Sequence, residues 1–158
     1  MSVTTKRVAL VTGAARGLGF AIAGRLAGIG YPVVLADADP AVEDSAGRLR
    51  DKGLAVRHAC VDVADEATVR SLPDLVGNWW GDLSILVNNA GISPKSDGRK
   101  RHVADMPADE CRRVHGVNLT GAFLVTRACL PALCSRGWGR IVMITSQAAR
   151  TRTPVPGA

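Results

Sequence analysis

A glycine-rich run near the N-terminus is the first candidate functional segment of the chain. Thr12 to Gly19 read TGAARGLG and directly follow the apolar stretch Val8–Val11. Glycines at such a turn let main-chain N–H groups approach a pyrophosphate closely, and the N-terminus of a following helix adds a partial positive charge. Such a run is a weak signal by itself, but here it lies between a predicted strand and a predicted helix. It therefore predicts a dinucleotide-binding loop.

An acidic side chain follows at the spacing that a dinucleotide site needs. Asp37 ends the second apolar stretch, 18 residues after Gly19, and its carboxylate can accept hydrogen bonds from the adenosine ribose hydroxyls. It would also repel a 2′-phosphate, whereas Arg16 could pair with that phosphate. Because Asp37 occupies the ribose position itself, the sequence favours NAD over NADP as the cofactor. Asp39, directly before Pro40, is better placed than Asp37 to cap the next helix.

Elements that could position these residues alternate along the chain. The predicted strands are Val8–Val11, Val33–Ala36, Leu54–Val61, Leu83–Val87 and Ile141–Thr145. The first predicted helix contains Leu18, Ile22 and Leu26, and the second runs from about Pro40 to Lys52. A third begins near Asp65, and Pro73 either kinks it or starts a second helix. The last runs from about Ala108 to Cys134. Alternation of this kind predicts right-handed crossovers and a parallel sheet covered on both faces. The predicted fold class is α/β, as one doubly wound parallel sheet in a single domain, residues 1–158.

Length and composition limit the function classes. The 158 residues suffice for one domain with a buried core. No stretch approaches the roughly 18 consecutive apolar residues that span a bilayer, and Val8–Val11 is too short for the core of a signal peptide. We therefore expect a cytoplasmic protein without a membrane partner. The four cysteines form no C-x-x-C pair, and the histidines do not lie at metal-ligand spacing to them. Reduced thiols and no metal site are expected.

The net charge of +6 raises the possibility of a nucleic-acid partner. The basic residues are scattered, however, and the one dense run, Lys95 to Arg101, contains an aspartate and no aromatic residue. A solvated loop is the favoured interpretation, followed by a loop that contacts a phosphate-bearing ligand. We expect no nucleic-acid partner.

Further motifs complete a recognisable pattern. Asn88-Asn89-Ala90-Gly91 follow the fourth predicted strand, Asn118 lies in VNLTGAFL, and Gly139 to Val142 lead to Thr145-Ser146. With Thr12–Gly19 these motifs cover essentially the whole chain, and the pattern resembles the short-chain dehydrogenase/reductase family. The resemblance implies a Rossmann-type sheet of strand order 3-2-1-4-5, without its C-terminal strands and helices. It also implies NAD(P)-dependent hydride transfer between the nicotinamide and a secondary alcohol or ketone.

The resemblance also implies a role for individual residues. The implied cofactor-binding residues are Gly13, Gly17, Leu18 and Gly19 at the pyrophosphate, Asp37 at the adenosine ribose, Asp62 and Val63 at the adenine, and Asn89, Ala90 and Gly91 on the nicotinamide ribose side, with Arg16 beside the loop. Ser146 matches the serine that hydrogen-bonds the substrate oxygen, and Asn118 matches the asparagine that holds the active-site helix and a water of the proton relay. Structural alternatives are a turn for Asn88–Gly91, a helix kink for Asn118 and a turn serine for Ser146.

The family also uses a tyrosine as its acid/base, with a lysine four residues later. The cation brings the phenol pKa, ordinarily near 10, toward the operating pH. The single tyrosine here, Tyr31, begins the second predicted strand, about 20 Å from the carboxyl edge where dinucleotide sites form, and residue 35 is Leu. The tail PVPGA resembles the run-in to the missing tyrosine. We therefore expect these residues to be the N-terminal portion of a longer oxidoreductase, inactive without that motif.

Two other interpretations stay open. One is a non-catalytic dinucleotide-binding module, and the other is a methyltransferase, which would not need Asn88–Gly91 or Ser146.

The resemblance extends to reductases of 3-oxoacyl thioesters and to sugar, steroid and simple alcohol dehydrogenases, so the implied partner is a small-molecule alcohol or ketone. It also implies a homo-oligomer, a tetramer or dimer, in the full-length form.

Three local features have structural interpretations. Ser84 stands where the family usually has an aspartate, which puts local stability in doubt rather than chemistry. Trp79-Trp80 are interpreted as packing or interface residues. Ile141–Ile144 has the composition of a strand buried on both faces, yet it would lie at the sheet edge if nothing followed, and an exposed apolar edge needs cover.

Overall fold

The structure is a computed structural model that describes residues 7–95, 98 and 102–146. The strands are β1 (Val8–Thr12), β2 (Val33–Asp37), β3 (Val56–Cys60), β4 (Leu83–Asn88) and β5 (Arg140–Met143). The α-helices are α1 (Gly17–Gly28), α2 (Val42–Arg50), α3 (Glu66–Arg70), α4 (Leu72–Val76), α5 (Ala108–His115) and α6 (Ala122–Ser135). Short 3₁₀ segments cover Gly77–Asp82 and Val103–Asp105, and a π-helical segment, Gly116–Gly121, joins α5 to α6.

The strands form one sheet in the order β3-β2-β1-β4-β5, and every neighbouring pair is parallel. The predicted α/β class and the strand order 3-2-1-4-5 are therefore confirmed. Because β1 lies between β2 and β4, the segments that follow these three strands meet at one edge of the sheet. In a doubly wound sheet this is the edge where ligands bind.

Burial on both faces of the sheet explains why its central strands are almost wholly apolar. Alternate residues of β1 point to opposite faces. Val8 and Leu10 join a core built with α4 and α6, whereas Ala9 and Val11 join a core built with α1 and α2. All five residues of β1 are buried, so the strand that leads into the glycine loop is fixed from both sides.

Three predicted helices differ in detail from those observed. Pro73 lies near the start of α4, so it begins a second helix rather than kinking the first. The helix predicted from about Pro40 begins at Val42, because the Asp39 carboxylate accepts a hydrogen bond from the Ala41 N–H and closes a turn. The long helix predicted from about Ala108 is interrupted by the π-helical segment that contains Asn118.

Within the described residues the fifth strand lies at an edge of the sheet, as expected where no further element covers it, and its apolar side chains are partly exposed. Ile141, Val142 and Met143 are 40%, 43% and 50% exposed, and Ile144 follows the strand at 39%. In the described ranges β5 pairs with β4 alone. An apolar composition predicted burial but could not say which neighbour provides it.

The helical stretch Ala108–Ser135 is long and apolar enough to cross a membrane, with a mean hydropathy of 1.4 over 18 residues, of which 33% are buried. This is weak evidence of membrane insertion, because core helices of globular proteins share these properties. Leu124, Val125 and Leu133 of α6 are buried in one of the two cores. We therefore interpret the stretch as a core helix with one exposed face.

The tryptophan pair and Ser84 contribute to packing. Trp79 and Trp80 pack half-buried against the core, and the Arg57 guanidinium lies 4.3 Å from the Trp79 ring centroid. Ser84 is buried and donates a hydrogen bond to the Asp82 carbonyl oxygen at 3.0 Å. The packing interpretation of Trp79-Trp80 agrees with these contacts.

Candidate functional site

A cavity of about 500 Å³ opens at the carboxyl edge of the sheet, where the segments after β1 to β4 meet. The predicted cofactor residues that line it are Gly13, Arg16, Leu18, Gly19, Asp37, Asp62, Val63, Asn89, Ala90 and Gly91. Gly17, Asn118 and Ser146 are not among its lining residues. The fold thus gathers residues from four separate strand ends around one space.

The glycine loop fits this space because two of its positions admit no side chain. Gly13 has a φ of +64°, and a Cβ there would lie 2.8 Å from the Ala90 Cα. A Cβ on Gly19 would lie 2.1 Å from the Gly13 carbonyl oxygen and 2.5 Å from the Asn89 side-chain nitrogen. Main chain therefore packs directly on main chain here, and the first turn of α1 lies against the loop.

Thr12 and Asn89 tie this loop to the end of β4. The Thr12 hydroxyl accepts hydrogen bonds from the N–H groups of Asn89 and Ala90, each at 3.0 Å. The Asn89 side-chain amide donates to the carbonyl oxygens of Thr12 and Gly13 at 2.9 and 3.1 Å. Asn89 thus holds the glycine loop in place, a contact that its implied role beside the nicotinamide ribose did not anticipate.

The Asp37 carboxylate has a fixed orientation at the cavity. Oδ2 accepts a hydrogen bond from the Ala15 N–H at 2.9 Å, and Oδ1 accepts one from the Asp39 N–H at 3.0 Å. The buried Ser45 hydroxyl donates to the Ala15 carbonyl oxygen at 2.6 Å, so Ala15 is held from both sides. An ionised carboxylate has about four lone-pair positions, so acceptor capacity remains for a ligand's hydroxyl groups.

Arg16 lies beside Asp37 in the cavity lining but has a partner elsewhere. Its Nη1 donates to Asp39 Oδ2 at 2.9 Å, and its side chain is 84% exposed. The candidate cation for a 2′-phosphate is thus held in an ion pair at the rim of the site.

The two residues implied at the adenine are held by the segment after β3. Asp62 Oδ1 accepts a hydrogen bond from the Ala64 N–H at 2.9 Å, which closes a turn. Val63 is buried, and a Cβ on Gly121 would lie 2.7 Å from its Cγ2. Gly121 therefore lets the helix approach Val63 closely and brings α5 and α6 toward the cavity.

Asn118 holds the chain that leaves the cavity rather than lining it. Its Oδ1 accepts a hydrogen bond from the Ile92 N–H at 2.8 Å, and its Nδ2 donates to the Ile92 carbonyl oxygen at 2.9 Å. This paired contact anchors the segment after Gly91 to the π-helical turn. The structural alternative for Asn118, a helix irregularity, is thus observed, and its implied role in a proton relay stays a prediction.

Ser146 is exposed and lies beyond β5 at the same carboxyl edge as the cavity. The Ile144 N–H donates to the Asn88 carbonyl oxygen at 2.9 Å, which extends the β4–β5 pairing toward Ser146. The tail PVPGA lies outside the described residues. Tyr31 precedes β2 at the opposite edge and is half-buried against the core, so it does not approach the site.

Five residues that line the cavity were not predicted from the sequence. These are Ala38, Val61, Ile92, Arg113 and Val117. Ala38 and Val61 adjoin predicted residues and could have been included on that ground. Arg113 and Val117 lie four residues apart on one helical face, which is a detectable signal, but nothing in the sequence says which face turns toward the sheet edge.

These features fit a nicotinamide dinucleotide. A glycine cradle without side chains matches its pyrophosphate, and a carboxylate with spare acceptor capacity matches its ribose. Both border the same cavity of about 500 Å³. Within residues 7–95, 98 and 102–146, no group of three or more His, Cys, Asp and Glu side chains could hold a metal ion.

Comparison with known proteins supports the same assignment. A family model described as short chain dehydrogenase matches residues 7–158. An uncharacterised oxidoreductase from Thermotoga maritima is 37% identical over 94% of this chain and 56% of its own length. A 3-oxoacyl-[acyl-carrier protein] reductase from Brucella melitensis, solved with bound NAD, is 37% identical with a TM-score of 0.88, over 95% of this chain and 57% of that one.

A gluconate 5-dehydrogenase from Burkholderia cenocepacia, solved with NADP and tartrate, is 35% identical with a TM-score of 0.83, over 94% of this chain and 57% of that one. The chain thus spans little more than half the length of the relatives it matches. The family match excludes the methyltransferase interpretation. This chain belongs to the short chain dehydrogenase family of oxidoreductases.

Proposed function

We propose that this chain binds NAD and forms the cofactor-binding part of an oxidoreductase that interconverts a small secondary alcohol and its ketone. The observation that carries the proposal is the Asp37 carboxylate, fixed at the cavity by the N–H groups of Ala15 and Asp39. An acceptor-only group in that place suits two neighbouring ribose hydroxyls. A 2′-phosphate there would meet a like charge instead, which favours NAD over NADP.

The glycine loop is proposed to bind the pyrophosphate through main-chain N–H groups. The loop opens α1, whose N-terminus adds a partial positive charge. Asp62 and Val63 are proposed to border the adenine, and Ala90 and Gly91 the nicotinamide ribose. When bound, the nicotinamide supplies or accepts the hydride that is exchanged with the substrate carbon.

Ser146 is the proposed hydrogen-bond donor to the substrate oxygen. Negative charge grows on this oxygen as a ketone is reduced, and a preorganised donor stabilises it. Asn118 is proposed to act through its two hydrogen bonds to Ile92, which fix the chain just beyond Gly91. We assign proton transfer to none of the described residues, since Tyr31 lies at the wrong edge.

The substrate class is also a proposal, and the family match supports it. Relatives named above include a 3-oxoacyl-carrier reductase and a gluconate dehydrogenase. We propose that the substrate is a small carbonyl or carbinol compound. The first compounds to assay are 3-oxoacyl thioesters, and the second are sugar acids.

Steady-state kinetics of the full-length gene product, paired with coenzyme binding, test this function. Ser146→Ala should lower kcat by at least about tenfold, because loss of one oxyanion donor costs about 10²–10³ in rate. The NAD dissociation constant should stay within about twofold. Ser135→Ala, at the end of α6, is the matched control and should leave kcat unchanged. Full activity of Ser146→Ala would refute the assigned role, and coenzyme binding without turnover of any probe would favour the non-catalytic module.

We also propose that the full-length protein is a homo-oligomer. Support comes from apolar side chains on the outer face of the long helix, where Leu119, Phe123 and Leu130 are 67%, 57% and 45% exposed. Sedimentation velocity tests this proposal, and a concentration-independent monomer would contradict it.

A further inference from the structure

The side chain of Arg16 is committed to an acidic partner at the rim of the proposed dinucleotide site. Arg16 lines the cavity together with Asp37, yet its Nη1 bonds Asp39 Oδ2 at 2.9 Å. An arginine in the glycine loop is the group best able to neutralise a 2′-phosphate, because its guanidinium pairs with phosphate oxygens through two parallel hydrogen bonds. In this chain a neighbouring carboxylate already occupies part of that donor set.

Asp39 is itself held in the orientation that makes this pairing. Its Oδ1 accepts a hydrogen bond from the Ala41 N–H at 3.0 Å, and its own N–H donates to Asp37 Oδ1 at 3.0 Å. The carboxylate is therefore anchored by the turn before α2, and its other oxygen is directed at Arg16. An anchored acid loses little side-chain entropy when it forms an ion pair, unlike two free surface side chains.

The charges of Asp37, Asp39 and Arg16 at this corner of the cavity determine how the ion pair affects a 2′-phosphate. Asp37 and Asp39 carry one negative charge each and Arg16 carries one positive charge, so the corner has a net charge of about −1. A 2′-phosphate, which like other phosphate monoesters is close to doubly ionised at neutral pH, would have to displace Asp39 from Arg16 before it could use the cation. NAD has no such phosphate and leaves the pair intact.

We propose that Asp39 is a specificity-determining residue that disfavours NADP by holding Arg16 in this ion pair. The inference rests on the proposed coenzyme site, and it adds a second acid to the discrimination made by Asp37. Arg113 also lines the cavity, but it is present in every variant compared below and so does not change their ratio.

The test is the ratio of NADP to NAD affinity, measured by titration calorimetry of the full-length protein and its variants. Asp39→Asn keeps an oxygen for the Ala41 N–H and removes the charge. It should raise the ratio about fivefold, since an ion pair of this exposure is worth up to about 1 kcal/mol. Asp44→Asn is the matched control, because it removes one exposed negative charge from the first turn of α2. Its ratio should change by less than about twofold.

A double-mutant cycle separates release of Arg16 from a general loss of negative charge. In an Arg16→Gln background, Asp39→Asn should change the ratio by less than about twofold. A gain of the same size with and without Arg16, or no gain in Asp39→Asn alone, would overturn the inference. If the unmodified protein bound neither coenzyme, the proposed function itself would fail, and that outcome is distinct from either of these.

Discussion

Gly19→Ala is the substitution for which the structure gives the clearest magnitude. The added Cβ would lie 2.1 Å from the Gly13 carbonyl oxygen, whereas ordinary contact begins at 3.4 Å, so the two must separate by about 1.3 Å. The Asn89 side-chain nitrogen, at 2.5 Å, blocks a second direction. Asn89 also bonds the Gly13 carbonyl oxygen. The loop therefore moves as a unit.

Two effects are expected from this displacement. Overpacking of this kind costs about 1–3 kcal/mol, so Tm should fall by about 2–12 °C for a protein of this size. Coenzyme affinity should fall by at least about tenfold, because losing one hydrogen bond to a charged group costs about 1.5–3 kcal/mol. Calorimetric titration with NAD and a thermal melt of the same preparation measure both.

Gly28→Ala is the matched control in the same helix. It ends α1, and a Cβ there would meet nothing within 4 Å. Alanine is the better helix former by up to about 1 kcal/mol, so Tm should stay level or rise by up to about 4 °C with unchanged NAD affinity. If Gly19→Ala fails to fold, Gly17→Ala tests the main-chain conformation of the loop instead, since its Cβ meets nothing within 4 Å and only the φ of +59° opposes it. Unchanged Tm and affinity in Gly19→Ala would refute the close-packed loop.

Three further predictions concern the surroundings of the site and the packing of the helices. Ser45→Ala removes the 2.6 Å hydrogen bond to the Ala15 carbonyl oxygen from a buried position, so urea denaturation should show a loss of about 1–3 kcal/mol; a loss below about 0.5 kcal/mol would contradict it. Burial raises the pKa of Cys129 to about 12, so at pH 8 a thiol reagent should label the exposed Cys60 and Cys134 at once and Cys129 only on unfolding. Prompt labelling of all four cysteines would refute this. Hydrogen bonds from Arg70 and then Arg127 hold the pKa of Glu66 below its ordinary 4.5. The stabilisation that Glu66 provides is therefore present above that value and is lost as pH falls through the lowered pKa. The difference in Tm between the unmodified protein and Glu66→Gln should vanish in acid, and a difference that grew in acid would contradict this.

Much of the fold could be predicted because its signals are local. Each buried strand has a nearly continuous apolar sequence, and the turn at Thr12–Gly19 and the acid at Asp37 lie directly at strand ends. Strand ends of a parallel sheet meet at one edge, so spacing along the chain is enough to bring such residues together.

The remainder depended on contacts that spacing does not determine. The ion pair of Arg16 with Asp39, and the choice of Arg113 and Val117 as cavity residues, depend on side-chain directions and on helix rotation. The exposure of Ile141–Met143 depends on what lies beside the last strand, which composition alone cannot tell. The two hydrogen bonds of Asn118 to Ile92 likewise join segments far apart in sequence.

We propose that the glycine loop and the Asp37 carboxylate together bind a pyridine dinucleotide. Titration calorimetry of the full-length gene product with NAD and with NADP tests it most directly, with Gly19→Ala as the reference for a damaged loop. Saturable heat with NAD, weaker binding of NADP and NAD binding at least about tenfold weaker in the variant are expected. A well-folded protein that gives no heat with either coenzyme would contradict it.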